Sequence, residues 1–209
     1  MNPVLIFGAG SLGKTALDIL KSNQLVVYGF LDDNRELTGK EIGEVVVLGT
    51  TEDDGFLKLI GQKCDALIAV ESSKERIYLL DLLKERRHVM PANAIHAKAH
   101  VSEYAVLGYG NILASGCQMD SFSTVGDCCV LYNNAVLETD VILGSHITVG
   151  SGSIVGAGTE VADGVFIGPG ATILPGIKIG KNASIGAGSV VLADVAAGSK
   201  MFGFPAQKV

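Results

Sequence analysis

The sequence predicts two domains: a small α/β domain with a parallel sheet over residues 1–92, then an all-β parallel β-helix over residues 93–209. Three observations predict it. Strand-like and helix-like segments alternate as far as residue 90. From Ile95 to Val191 an aliphatic residue or Met stands at every sixth position, seventeen times in succession. Glycine is abundant, 27 of 209 residues, and recurs at fixed steps of the same period.

In the first domain "VLIFGA", "VVYGFLDD", "VVVLG" and "DALIAV" read as strands. Between or after them, "SLGKTALDILKSN", "EDDGFLKLIG" and "SSKERIYLLDLLKERR" read as helices, the last with Ile77, Leu80 and Leu83 at helical spacing. The basic cluster Lys84–His88 reads as the end of that helix, where cationic side chains meet the negative end of the dipole.

After "MPANAI" the period becomes six. At an apolar fraction of 48%, chance gives seventeen unbroken hits roughly a few times in a million, so the repeats are real. The fifth residue of each unit is often small, as at Cys117, Ser123, Ala135, Ser153 and Ala183, and Gly recurs at the second or fourth. Each unit is then a short strand and a turn. Its first residue fills the axis, its fifth points inward at a corner, and Gly permits backbone that a side chain opposes. Three units close one triangular coil, giving between five and six coils.

Composition narrows the function. A net charge of −6 and a pI near 5.2 exclude nucleic acid as a partner, since phosphate binding needs clustered Lys and Arg. No apolar run reaches the length of a membrane span. The start "MNPVLIFGAG" has no charged leader, and the four cysteines lack the spacing of a zinc site. Reduced thiols, a cytoplasmic location and no metal are therefore expected.

Gly8-Ala9-Gly10-Ser11-Leu12-Gly13 matches G-x-G-x-x-G between a strand and a helix, the Rossmann-like context in which a helix N-terminus receives phosphate. Asp32 and Asp33 end the second strand, where a dinucleotide site keeps its ribose ligand, so the motif alone leaves NAD open. Size argues against NAD, because no other catalytic domain follows to use a hydride. A nucleotide-sugar and a purely structural loop are the remaining readings.

"IFGAGSLGK", "FLDDN", "NAIHAKAHVS", "ILPGIKIGKNASIGAGSVV" and "FGFPAQKV", in this order, resemble the bacterial sugar O-/N-acyltransferase family with hexapeptide repeats. That family includes sialic acid O-acetyltransferases and N-acetyltransferases of UDP-4-amino sugars. The resemblance implies a left-handed β-helix, a homotrimer, and acetyl-CoA as acyl donor lying between neighbouring prisms. It implies nucleotide-sugar contacts at Gly8, Ala9, Gly10, Asp32, Asp33 and Arg76. Arg76 reads equally well as a solvated helix residue. Glu71 departs from the family glycine, and its carboxylate opposes a pyrophosphate. For CoA the resemblance implies Thr148, Gly168, Pro169, Gly186, Gly188 and Pro205. The tail "FGFPAQKV" also reads as a cap over the last coil's open edge. Lys181 and Lys200 are candidates for CoA phosphates, though solvated surface lysines are commoner.

The same overlay puts the family's catalytic histidine, flanked by carboxylates, on Glu138-Thr139-Asp140, so the imidazole is missing. His146 is a second candidate base, but the repeat places it near a different corner from Thr139. Three readings follow. The enzyme dispenses with histidine, with Asp140 or Glu138 accepting a proton through water. Or the fold binds acyl-CoA or nucleotide-sugar without chemistry. Or a residue of a neighbouring subunit completes the site.

Overall fold

The computed structural model describes residues 2–209, which divide into two compact units, one reaching residue 97 and the other 98–209. In the first, a five-stranded sheet and three α-helices run β1 (Val4–Phe7), α1 (Ser11–Ser22), β2 (Val27–Leu31), β3 (Glu41–Ile42), β4 (Val45–Gly49), α2 (Asp54–Leu57), β5 (Asp65–Ile68) and α3 (Ser73–Arg87). The sheet order is β3-β4-β2-β1-β5, parallel except where β3 meets β4. All four residues of β1 are buried, as befits a central parallel strand covered on both faces.

The four expected strands and three helices are all present. The second helix is far shorter than its apolar pattern suggests, a single turn capped by the Asp53 carboxylate on the Gly55 amide. The third helix ends at Arg87, with Lys84, Arg86 and Arg87 in its last turn, as the basic cluster predicts. Arg87 donates there to the carbonyl oxygens of Lys58 and Ile60.

The second unit is a three-sided β-helix. Face I carries the strand pairs 100–101, 118–119, 136–137, 154–155, 172–173 and 190–191. Face II carries 106–107, 124–125, 142–143, 160–161 and 178–179. Face III runs from 112–113 through 130–131, 148–149, 166–167 and 184–185 to 200–202, and ends antiparallel on 207–208. As far as residue 191 each strand pairs in parallel with the residues one coil away, for example Gln118 with Val136 and Met119 with Leu137, a register of eighteen, which shortens to sixteen where Ser184 meets Lys200. The six-residue period is thus one side of the triangle.

The repeat's rules have separate physical causes. First-position residues such as Leu131, Leu137 and Ile167 are fully buried. The fifth position is equally buried but not restricted to small residues: Val141, Ile147, Val165 and Ile177 also fit there, so the corners are roomier than the sequence suggests. Fourth-position residues from Gly110 to Gly188 lie in the left-handed region, at φ +68 and +66 at those ends, which favours Gly and Asn. Second-position glycines answer a different need. A Cβ on Gly150 would lie 2.5 Å from the amide nitrogen of Pro169 in the next coil, so the side chain is excluded by stacking.

Candidate functional site

In the α/β unit two adjoining clefts open at the carboxyl ends of β1, β2 and β5. One, of about 220 Å³, is lined by Gly8, Asp32, Asp33, Thr51, Glu75 and Tyr78, among others. The other, of about 350 Å³, adds Gly10, Ser11, Glu71 and Ser72. This is where an open α/β sheet receives ligands. The glycine loop divides by role. Gly8 has φ +101, and a Cβ there would meet the Ala69 carbonyl at 2.6 Å. A Cβ on Gly13 would meet the Gly8 carbonyl at 2.1 Å. Both are fixed by the fold. Gly10 has nothing within 4 Å of its missing Cβ, so its bareness serves space rather than packing. It starts α1, whose N-terminus has no side-chain cap and no acidic residue in its first turn.

The two aspartates are anchored. Asp32 accepts from the Ala9 amide at 2.7 Å and from the Asn34 amide at 2.8 Å. Asp33 accepts from both the amide and the hydroxyl of Thr51, each at 2.9 Å. They shape the cleft's rim by holding the glycine loop and the end of β4. Arg76 is not a solvated helix residue: it is 1% exposed, and Nη1 donates to the carbonyls of Val70 (3.2 Å) and Glu71 (2.7 Å). It holds the loop that lines the second cleft. Tyr78, which sequence reading missed, donates to the Glu52 carboxylate, and that bond raises its pKa.

In the β-helix, Glu138, Thr139 and Asp140 form one turn at the corner between faces I and II. Glu138 is half-buried, and its Oε2 accepts from the Ala157 amide at 2.8 Å, in the turn one coil on. Thr139 is exposed, its carbonyl accepting from Gly158 at 3.0 Å. Asp140 is exposed at φ +60, and its amide donates to the Ser121 carbonyl at 3.2 Å. His146 lies at the next corner, between faces II and III, at φ +60, with its amide on the Asp127 carbonyl at 2.8 Å. The two candidate bases thus occupy different corners, as the register predicts.

Thr148 and Pro169 come together on face III and its corner with face I. With Tyr132, Gly150, Ser151 and Phe166 they line a cleft of about 200 Å³. Tyr132 and Phe166 carry no motif, but each stands on that face within one coil of Thr148 or Pro169. Gly188 is exposed on the same corner one coil past Pro169. Gly168 and Gly186 are buried, Gly186 beneath the Phe202 ring, so coil stacking explains their lack of side chains. The tail from Lys200 closes the last coil: the Gly203 amide donates to Ser189 Oγ at 3.1 Å and the Ala206 amide to the Val190 carbonyl at 2.8 Å. Pro205 in that tail is exposed, as are Lys181 and Lys200. A further open cavity, about 670 Å³, lies on face II around the 3.0 Å Glu160–Lys178 ion pair and holds none of the expected residues.

Among the described residues no helix is long and apolar enough to cross a membrane. Residues 3–82 match the PglD N-terminal domain, and residues 158–193 match the bacterial transferase hexapeptide repeats. No curated protein matches the chain. Among solved structures, a His→Ala variant of GDP-perosamine N-acetyltransferase from Caulobacter crescentus, in complex with CoA and GDP-perosamine, is 29% identical with a TM-score of 0.91. The match covers 100% of this chain and 97% of that one. PerB from the same organism, with the same two ligands, is 28% identical with a TM-score of 0.90, covering 100% and 98%. The acetyltransferase domain of PglB from Neisseria gonorrhoeae, at 24% identity and a TM-score of 0.92 over the full length of both chains, shares the fold. The β-helix is therefore the left-handed one of these neighbours, and the two family models and the solved acetyltransferases agree with the resemblance of the motifs to the bacterial sugar O-/N-acyltransferases.

Proposed function

We propose that this protein transfers an acetyl group from acetyl-CoA to an amine or hydroxyl of a nucleotide-linked sugar, and does so as a homotrimer. One observation carries the reading. The acidic corner with Thr139 and the cleft with Thr148 and Pro169 lie on opposite sides of one prism: the corner between faces I and II is the one farthest from face III. A thioester held on face III of one copy cannot reach Thr139 of the same copy. A neighbouring prism has to present its own corner, and a closed ring of copies satisfies every site at once.

In this arrangement Thr148, Pro169 and Gly188 border the pantetheine arm, and the exposed tail around Pro205 borders its far end. In the α/β unit the open space over Gly10 and the uncapped start of α1 receive the nucleotide phosphates. Thr139 stands where the family keeps its histidine. An acceptor amine that arrives deprotonated attacks the thioester carbonyl carbon directly. The C–N bond forms, the C–S bond breaks, and the thiolate takes up a proton. That proton is the surplus one on nitrogen, which passes through water to Glu138 or Asp140 and from there to the departing thiolate. Glu138 is the better placed, because the Ala157 amide holds one carboxylate oxygen and fixes the other's position. A general base contributes about 10²–10⁴-fold, so a weaker one slows the reaction without ending it. The solved neighbour with a histidine replaced by alanine still holds CoA and GDP-perosamine, which agrees with binding that does not depend on such a side chain.

The competing reading is a trimer that binds CoA or nucleotide-sugar without chemistry. Thr139→His separates them. A rate gain of about tenfold or more, with unchanged CoA affinity by calorimetry, supports catalysis at this corner. CoA binding without thiol release from any amino sugar, in wild type and variant alike, supports the binder.

A further inference from the structure

The corner between faces I and II carries an aromatic shelf beside Glu138-Thr139-Asp140. Its fourth-position residues, one per coil, are Tyr104, Phe122, Asp140, Gly158 and Gly176. Phe122 is in the left-handed region at φ +62, where a bulky side chain is a marked outlier and where the later coils of the same column, at Gly158 and Gly176, use glycine. It is 61% exposed, and Tyr104 is 57% exposed. Their rings stack on each other, with centroids 5.3 Å apart and planes 26° from parallel.

Neither the strain nor the exposure is explained by the fold. A glycine at 122 removes the backbone penalty, and two large rings left in water forgo burial. The pair's direction gives the explanation. The residues are eighteen apart, so the pair spans two successive coils along the prism axis, with Phe122 the member nearer the next rung. That rung is the candidate site, since the Asp140 amide bonds the Ser121 carbonyl. Beyond it the ladder is bare: a Cβ added at Gly158 or Gly176 meets nothing within 4 Å. The result is a flat apolar floor, a carboxylate at its edge and open space above. No Lys or Arg stands in the turns of this corner: 102–104, 120–122, 138–140, 156–158 and 174–176.

We propose that Phe122, backed by Tyr104, is the platform on which the acceptor's sugar ring lies, and that it sets specificity for a pyranose with an unsubstituted apolar face. A pyranose is flat on the scale of a phenyl ring. Its axial C–H bonds present positive edges to the negative face of the aromatic, while its hydroxyls remain free to donate to Asp140. This inference rests on the acyltransfer reading for the reacting end of the ligand. It differs from that reading in its measurement, which is binding rather than turnover.

The test is calorimetric titration of the wild-type trimer and of Phe122→Gly, Phe122→Asn and Phe122→Tyr with UDP- and GDP-linked amino sugars. Sedimentation and thermal unfolding of each variant accompany it. Phe122→Gly and Phe122→Asn are expected to bind the sugar nucleotide about tenfold more weakly. They keep the wild-type melting temperature or exceed it, because strain is relieved, and Phe122→Tyr restores wild-type binding. Where turnover is measurable, the KM for the sugar rises while the KM for acetyl-CoA stays. Unchanged sugar affinity in both variants overturns the proposal, as does a wild type that binds none of the sugars. Dissociation of the trimer in Phe122→Gly assigns the pair to an interface between copies and overturns it equally. Loss of turnover with the binding pattern intact strikes only the acyltransfer reading.

Discussion

The glycine loop of the α/β unit and the glycines of the β-helix use the same residue for opposite ends. In the loop, Gly8 and Gly13 are demanded by close backbone approach, while Gly10 borders empty space. In the β-helix, second-position glycines such as Gly150 and Gly156 are demanded by the next coil, and fourth-position ones such as Gly152 and Gly158 by φ alone. In the loop a residue serving a ligand is picked out only by subtracting those the fold needs. In the repeat, each position has its own controls eighteen residues away. Phe122, Asp140 and His146 are visible as departures because their columns hold glycine elsewhere.

The contrast is broken most severely by Gly150→Ala, which forces a Cβ into the Pro169 backbone. Urea unfolding should show a loss of about 3 kcal/mol, since backbone cannot yield as a side chain does. Gly152→Ala, strained in φ but unopposed in space, should cost only about 1–2 kcal/mol. Equal costs would mean that coil stacking does not govern the second position.

Next in size is Gly10→Ala. No clash awaits it, so melting should stay at wild type while affinity for a nucleotide-sugar falls about tenfold, measured by calorimetry. Gly13→Ala should do the reverse and destabilise the α/β unit, its Cβ falling on the Gly8 carbonyl. If Gly10→Ala leaves binding untouched, the loop is structural throughout.

A smaller effect follows from the thiols. All four cysteines are buried thiols outside any disulfide. Burial pushes the Cys117 thiol up to about 11 from an ordinary 9.0, outweighing backbone hydrogen bonds that lower it. The folded protein therefore favours the neutral thiol. That contribution is complete below pH 9 and is lost as pH rises through about 11, where unfolding should become easier. Native protein at pH 8 should resist alkylation at all four positions, and labelling without denaturant would contradict the packing.

The smallest effect belongs to Lys178→Met. The Glu160 carboxylate raises the Lys178 pKa, so the pair's contribution holds below the ordinary lysine range and is lost at higher pH. Both side chains are more than half exposed, at 65% and 53%, and no change in melting temperature at pH 7 is expected.

Much of this was legible in the sequence because the β-helix repeats one physical constraint. An inward side chain every six residues shows as a period, and the corners of Thr139 and His146 could be told apart by counting. The four strands and the end of α3 were legible for the usual reasons of apolar runs and terminal charge. What stayed hidden depends on contacts that pattern does not encode. Arg76 reads as a surface residue because arginine on a polar helix normally is one, and its burial depends on two backbone carbonyls. The second helix looks long because Leu57 and Ile60 share helical spacing, yet the chain turns after one turn. The Tyr104–Phe122 stack had a signal in its spacing of eighteen, lost because both residues break the glycine rule rather than follow it.

The account turns on whether the acidic corner of one copy meets the cleft of another around a thioester. Free thiol released from acetyl-CoA, followed against a set of UDP- and GDP-linked amino sugars, tests this most directly when Pro169→Trp, whose own cleft is blocked, is mixed with a protein whose acidic corner is removed. Release that depends on a sugar, is absent in Pro169→Trp alone, and recovers when Pro169→Trp is mixed with a Glu138→Ala/Asp140→Ala protein is the predicted result. No recovery in the mixture, with trimers formed and the wild type active, would contradict a site shared between copies.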